Sequence, residues 1–163
     1  MTTGDKGMMI VFIYWYYMDK VDLRLIELLQ ENARYSLKHL AKEVFLSTPA
    51  VSSRIQRLEE LGIITGYSAK VDALKLGYNI KAFINLVLTP NQKPLFYPFI
   101  KSVPNVLECN CVTGNYSMLI KVAFRTTLEL DVFIGELQKF GSTQTQIVFS
   151  TPVEHRGVDI RSD

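Results

Sequence analysis

Apolar side chains begin to recur at helical spacing directly after Asp19, a residue able to cap a helix. Val21, Leu25, Leu28 and Leu29 fall at i, i+4, i+7 and i+8, so one apolar face is predicted for a helix over Lys20–Glu31. Ser36 can cap a second, shorter helix that turns Leu37, Leu40, Ala41 and Val44 inward. Phe45 and Leu46 then lead to a new cap at Ser47. A third helix, from Thr48 to Leu61, carries Pro49 in its first turn, where no intrahelical N–H is needed. It buries Val51, Ile55, Leu58 and Leu61 and stops at Gly62.

Beyond Gly62 the period changes. Ile63 to Val71 is rich in β-branched and aromatic residues and reads as a strand, and Asp72 to Tyr78 reads as a turn-containing linker. Strands are predicted at Tyr78–Leu88, Val106–Val112, Ser117–Phe124 and Gln144–Ser150, with helices at Leu95–Val103 and Thr127–Lys139. The order β-α-β-β-α-β is that of the ferredoxin-like split arrangement, in which helices cover one face of the sheet. Phe83, Asn85 and Val87 alternate with Ala82, Ile84, Leu86 and Leu88, so the first strand is apolar on both sides and the open face calls for a partner. The fold class is therefore α+β: a three-helix unit at 18–65, a strand and linker at 66–77, and a ferredoxin-like βαββαβ unit at 78–163 whose open face suits oligomerisation.

Residues 1–17 precede this pattern. Met8 to Met18 is an uncharged, apolar run of eleven residues, short of the roughly 20 that a membrane-spanning helix needs. No small-x-small cleavage site follows it, so a cytoplasmic protein without a membrane anchor is expected. The sequence leaves three readings of this leader open: an upstream start artefact, a disordered leader, or an extra strand. The chain of 163 residues is 48% hydrophobic and 21% charged, enough for two small cores, and its net charge of +2 gives no broad basic surface. Any nucleic-acid contact must then come from local placement. Cys109 and Cys111 have a spacing that suits neither a zinc pair nor a redox motif, and they read as reduced packing residues.

The third helix offers such local placement. With Val51, Ile55 and Leu58 turned inward, Thr48, Ser52, Ser53, Gln56 and Arg57 face out, Arg54 lies at the flank, and no acidic residue precedes Glu59. Arginine suits guanine or phosphate, while hydroxyls and the free N–H groups of a helix N-terminus suit phosphate oxygens. The same pattern also fits an ordinary solvated face.

The order of residues is more specific than the periodicity. Asp19, Asp22, Ile26 and Leu29, then Arg34 and Ser36, then the run from Leu46 to Tyr67 with Arg54, Arg57, Glu59, Gly62 and Gly66, resemble the DNA-binding half of Lrp/AsnC-family transcriptional regulators. The resemblance implies that Ser36, Ser47, Thr48, Ser52, Ser53, Arg54 and Arg57 lie at or near operator DNA. VTGNYSMLIKV, Val112 to Val122, is similar to the family's turn between two strands, which lines a small-molecule pocket between dimers. Gly114, Asn115, Tyr116, Ser117, Thr143 and Thr145 are the effector residues this implies, and by the same resemblance 18–65 is a winged-type helix-turn-helix DNA-binding domain and 78–163 an effector-binding and oligomerisation domain. Where many members carry an Asp for an amino acid's ammonium group, this chain has Ser117, and Asn115 is neutral too.

The expected partners are thus double-stranded DNA, a small-molecule effector of the amino-acid class, and further copies of the chain, a homodimer (the RAM-type domain pairing) assembling to an octamer. No cofactor is expected. His39 and His155 are the only histidines and form no triad or metal cluster in the sequence, and no phosphate-binding glycine loop is present. Two other readings remain at this point: an enzyme, since sirohaem decarboxylases resemble the same two-domain family, and a ligand-sensing assembly module without DNA binding.

Overall fold

The computed structural model describes residues 18–160. The apolar leader, residues 1–17, lies outside the described residues. The chain forms two compact units, one running to Ala69 and taking in the tail from Glu154, the other Lys70–Val153.

The first unit consists of α1 (Lys20–Glu31), α2 (Leu37–Glu43) and α3 (Thr48–Glu60). Each N-terminus is closed by the residue the sequence nominates. Asp19 accepts from the Asp22 N–H at 2.9 Å, Ser36 Oγ from the His39 N–H at 3.1 Å, and Ser47 Oγ from the Ala50 N–H at 3.4 Å. The helices enclose Leu25, Leu28, Leu40, Ala41, Val44 and Val51, with Val21, Leu29, Leu46 and Ile55 packed around them. Leu37, expected inside, is 40% exposed because it begins α2, one turn before the stretch that meets the core.

Between α2 and α3 the chain turns at Phe45, whose φ of 55° lies in the left-handed region. An L-residue pays roughly 1–2 kcal/mol there, because Cβ crowds the following carbonyl oxygen. After α3, Gly62 adopts φ 69°, and the Ile63 and Ile64 N–H groups both donate to the Leu58 carbonyl, closing the helix.

The strand expected over Ile63–Val71 does not form within the chain. Its first two residues are drawn into the end of α3, and Thr65 to Val71 are exposed without a ladder partner among the described residues. Propensity alone does not make a strand: the extended backbone needs a second edge to pair with.

The second unit contains β1 (Ile80–Leu86), a 3-10 turn (Pro90–Gln92), α4 (Lys93–Ser102), β2 (Val106–Cys111), β3 (Met118–Phe124), α5 (Thr127–Gln138) and β4 (Thr143–Ile147). The spatial order is β2-β3-β1-β4, with every neighbouring pair antiparallel. This is the expected split arrangement. Ala82, Ile84 and Leu86 of β1 and Met118, Ile120 and Val122 of β3 meet Phe96 and Ile100 of α4 and Leu130, Phe133 and Leu137 of α5. The opposite face carries Phe83 beside Lys121 and Gln146, and Asn85 beside Leu119 and Gln144, a mixture of apolar and polar rungs.

Two expectations shift at the C-terminal end. β4 stops at Ile147 rather than Ser150, and Phe149 is fully exposed. The tail, read as a continuation of the second domain, belongs to the first unit: Gln30 Nε2 donates to the Val158 carbonyl at 3.2 Å. Gly157 lies so near the Gln30 side chain that a Cβ would sit 1.8 Å from its Oε1. Nothing in the tail's composition announces this return.

Candidate functional site

The α3 face that the sequence points to is open. Ser47 and Thr48 at its N-terminus and Ser52, Ser53, Gln56 and Arg57 along it are exposed, while Val51 and Leu58 on the reverse are fully buried. The Ser36 and Ser47 hydroxyls are the acceptors that cap α2 and α3, so each is held at a helix start where free N–H groups point outward. Arg34 and Lys38 flank Ser36 and are also exposed. Reading α3 alone passed over Lys38; the signal available was its place in the first turn of the preceding helix, the element that crosses the DNA backbone in a helix-turn-helix.

The two arginines are less free than the pattern implied. Asp22 on α1 is wholly buried, and Arg54 Nη1 donates to its Oδ1 at 2.8 Å. Arg57 Nη2 donates to Oδ2, which also accepts from the Asp19 N–H at 3.2 Å. Arg54 Nη1 further reaches Asp19 Oδ2 at 2.8 Å. Arg57, read as purely outward, therefore also supports the fold. Its side chain is 44% exposed and that of Arg54 is 30% exposed.

The electrostatics follow from this cluster. Burial works to raise the Asp19 carboxyl, but the Asp22 N–H and Arg54 outweigh it and hold the group below its ordinary value. Hydrogen bonds from Arg54 to Asp22 and Asp19 raise the guanidinium further above its usual range. At the helix's far end, Tyr67 donates to Glu59 Oε1 at 2.7 Å. Burial and then this carboxylate push the phenol up to about 12. The charge presented to a polyanion is thus smaller than the arginine count implies, and hydroxyls and backbone N–H groups carry a larger share of the contact.

In the second unit the sheet register gathers the expected effector residues at one end of β1. Leu86 faces Met118 on β3 and Thr143 on β4, and Ile84 faces Thr145. The loop before β3 is anchored there: the Ser117 N–H donates to the Leu86 carbonyl at 3.0 Å, and Ser117 Oγ accepts from the Leu88 N–H at 2.6 Å. The Ser117 hydroxyl donates in turn toward the Leu88 carbonyl at 3.1 Å. It holds the loop rather than projecting from it. Gly114, at φ 109°, and Asn115 form the exposed tip, with Tyr116 partly buried beside them.

Thr143 and Thr145 share the helix-covered face with Leu86 and Ile84, and Gln138 Nε2 on α5 donates to Thr143 Oγ1 at 3.5 Å. Gly141 makes the preceding turn possible, since a Cβ there would sit 1.9 Å from the Val87 carbonyl oxygen. A cavity of about 460 Å³ in the same unit lies elsewhere, between α4 and α5, lined by Phe99, Phe124, Leu128, Val132 and Phe133 among others. It includes none of the expected effector residues.

Cys109 is half-buried on β2 and Cys111 exposed, and burial followed by the neighbouring Cys111 raises the Cys109 thiol. No acidic, histidine and cysteine cluster able to hold a metal occurs among the described residues, and none of their helices is long and apolar enough to cross a membrane.

Comparison with known proteins covers both units. Residues 18–59 match the AsnC-type helix-turn-helix domain and residues 81–158 the Lrp/AsnC ligand binding domain. The HTH-type transcriptional regulator YezC of Bacillus subtilis is 36% identical over 138 residues, 85% of this chain and 98% of its own. The structure of Escherichia coli AsnC superposes with a TM-score of 0.77 at 32% identity, covering 86% of this chain and 97% of that one. A transcriptional regulator of Neisseria meningitidis, NMB0573, solved as a complex with L-Met, gives a TM-score of 0.79 at 26% identity, over 85% and 94% of the two chains. These relatives are regulators, not enzymes. Helix-turn-helix and ligand-binding units in this order and over this length place the chain in the Lrp/AsnC family of DNA-binding transcriptional regulators.

Proposed function

We propose that the chain binds a palindromic operator as a homodimer and that an amino acid, bound between dimers, changes its operator affinity. A dimer presents two α3 helices to successive major grooves, and two-fold symmetry makes the site palindromic. Ser36, Ser47, Thr48, Ser52, Ser53, Arg54 and Arg57 are the residues assigned to DNA. The open sheet face, with Phe83 and Leu119 among polar rungs, is the RAM-type dimer surface, and dimers assemble further to an octamer. The regulator works in the cytoplasm, where its DNA is.

The observation that carries the effector reading is the register at Leu86, which brings the 114–117 loop and Thr143 to the same end of the sheet. The neighbour that holds L-Met in a fold of this kind supports the amino-acid class. With Ser117 committed to backbone groups, the ligand's carboxylate is met by the Thr143 and Thr145 hydroxyls and its remaining contacts by Gly114, Asn115 and Tyr116. An effector acts only through its preference for one assembly over another.

The test is titration of the purified protein with the twenty amino acids by calorimetry, followed by operator binding and sedimentation with any that bind. Binding by one class, lost in Thr145→Val and coupled to a shift in operator affinity, is the expected result. Heat with no member of the panel would sink the amino-acid effector and leave the DNA-binding reading intact.

A further inference from the structure

Phe45 stands at the entrance to α3, two residues before its cap Ser47, and neither the fold nor the turn accounts for it. Its neighbours Val44 and Leu46 face the core of the first unit, while Phe45 itself is 93% exposed. Its backbone is in the left-handed region at φ 55°, the only non-glycine residue among those described to adopt a positive φ. Glycine would make the same turn without crowding, and an exposed aromatic ring gains nothing from water. Strain combined with exposure at a bulky residue directs attention to a contact outside the chain.

The position of the turn names that contact. In a helix-turn-helix the N-terminal residues of the second helix touch base edges, so the residue just ahead of the helix cap lies beside the same groove. The hydroxyls of Ser47, Thr48, Ser52 and Ser53 are polar readers, and Arg54 and Arg57 are partly spent on Asp22. Beside the small apolar groups of Thr48, Pro49 and Ala50, Phe45 is the large apolar side chain exposed at this end of α3, and the 5-methyl group of thymine is the apolar feature of the major groove.

We infer that Phe45 is a specificity-determining residue of this regulator, packing its ring against a thymine methyl at the edge of each operator half-site. The left-handed turn leaves the side chain off the core and exposed ahead of α3. The contact is apolar, so it contributes sequence preference without adding to the salt dependence that phosphate contacts create.

The experiment uses the full chain and a duplex that it selects from random-sequence DNA. Wild type, F45G and F45A are compared for melting temperature, sedimentation and affinity for that duplex at several salt concentrations. Thymines are then replaced one at a time by deoxyuridine, which lacks the methyl group. F45G is expected to melt higher than wild type, to keep the same assembly mass and to bind about fivefold weaker or more with an unchanged salt slope. One deoxyuridine substitution weakens wild type and leaves F45G and F45A unaffected.

Equal affinity of wild type and F45G overturns the inference. So does a loss of affinity accompanied by a changed assembly mass, which would move Phe45 to a contact between copies. An identical response of all three proteins to every deoxyuridine position overturns the thymine contact. If the wild type selects no sequence at all, the failure lies with sequence-specific DNA binding itself.

Discussion

The two units are held together by different physics. The Lys70–Val153 unit rests on a broad apolar layer, with Ile84, Leu86, Phe96, Met118, Ile120, Val122 and Leu137 all essentially inaccessible. The helical unit encloses a cluster of six buried apolar side chains, with Leu58 buried besides, and adds a buried carboxylate, Asp22, held by two arginines from α3. A small helical unit that must keep one helix face polar has little apolar area to bury, and a charge cluster joins α1 to α3 beside the apolar contacts of Leu25, Leu28 and Val51. That solution couples the stability of the unit to the same helix that meets DNA.

The largest expected effect tests the apolar side of this contrast. Phe96→Ala opens a cavity under the sheet and should cost about 3–5 kcal/mol. Hydrogen exchange should show the loss in β1 and β3, with the amides of α1 to α3 unchanged. Loss spread evenly over both units would mean that they unfold as one and that the contrast has no energetic meaning.

Arg54→Ala tests the charged side. It leaves Asp22 buried with one guanidinium fewer, an expected loss of roughly 1.5–3 kcal/mol in the helical unit. The acid response sharpens the point. Asp19 titrates below its ordinary value of 3.8 in the folded chain, so its contribution is present above that value and lost as pH falls through the lowered one. Removing Arg54 takes away part of that lowering, and acid unfolding followed by circular dichroism should begin at higher pH in the variant. An unchanged acid midpoint would show that the cluster is not what holds α1 to α3.

Gly141→Ala asks whether the turn before β4 tolerates a side chain. With a backbone oxygen 1.9 Å from the new Cβ, an overpacking cost of roughly 1–3 kcal/mol is expected in the second unit alone, read from its melting curve. The smallest effect belongs to Tyr67→Phe. Since the phenol is raised to about 12, its stabilisation is complete below the ordinary value of 10.0 and lost as pH rises from there toward 12. The variant should show a flatter decline in stability over that window, and little difference from wild type at neutral pH because Tyr67 is half exposed.

Much of this was legible along the chain. The caps Asp19, Ser36 and Ser47, the stop at Gly62 and the order of strands and helices are local matters of hydrogen bonding and period, and the observed bounds differ from the expected ones by a few residues. The strand expected over Ile63–Val71 is absent for a physical reason: its composition favours extension, but pairing depends on an edge that the described residues do not supply. Periodicity turns Arg57 outward, but it shows which way Cα–Cβ points and not where a long side chain ends. Arg57 reaches back to Asp22. Ser117 likewise looked like a ligand group by its place in a motif, and its hydroxyl proved to be engaged by Leu88.

The sequence by itself determined the helix-turn-helix, the split α/β unit and the family, because each depends on short-range periodicity, capping and residue order. Only the tertiary structure decided that Asp22 is buried between two arginines, that the tail returns to α1, that the 114–117 loop and Thr143 meet at Leu86, and that Phe45 stands strained and exposed ahead of α3. Those are contacts between residues far apart in the chain, or backbone states imposed by them, and no local pattern of apolar and polar positions encodes them.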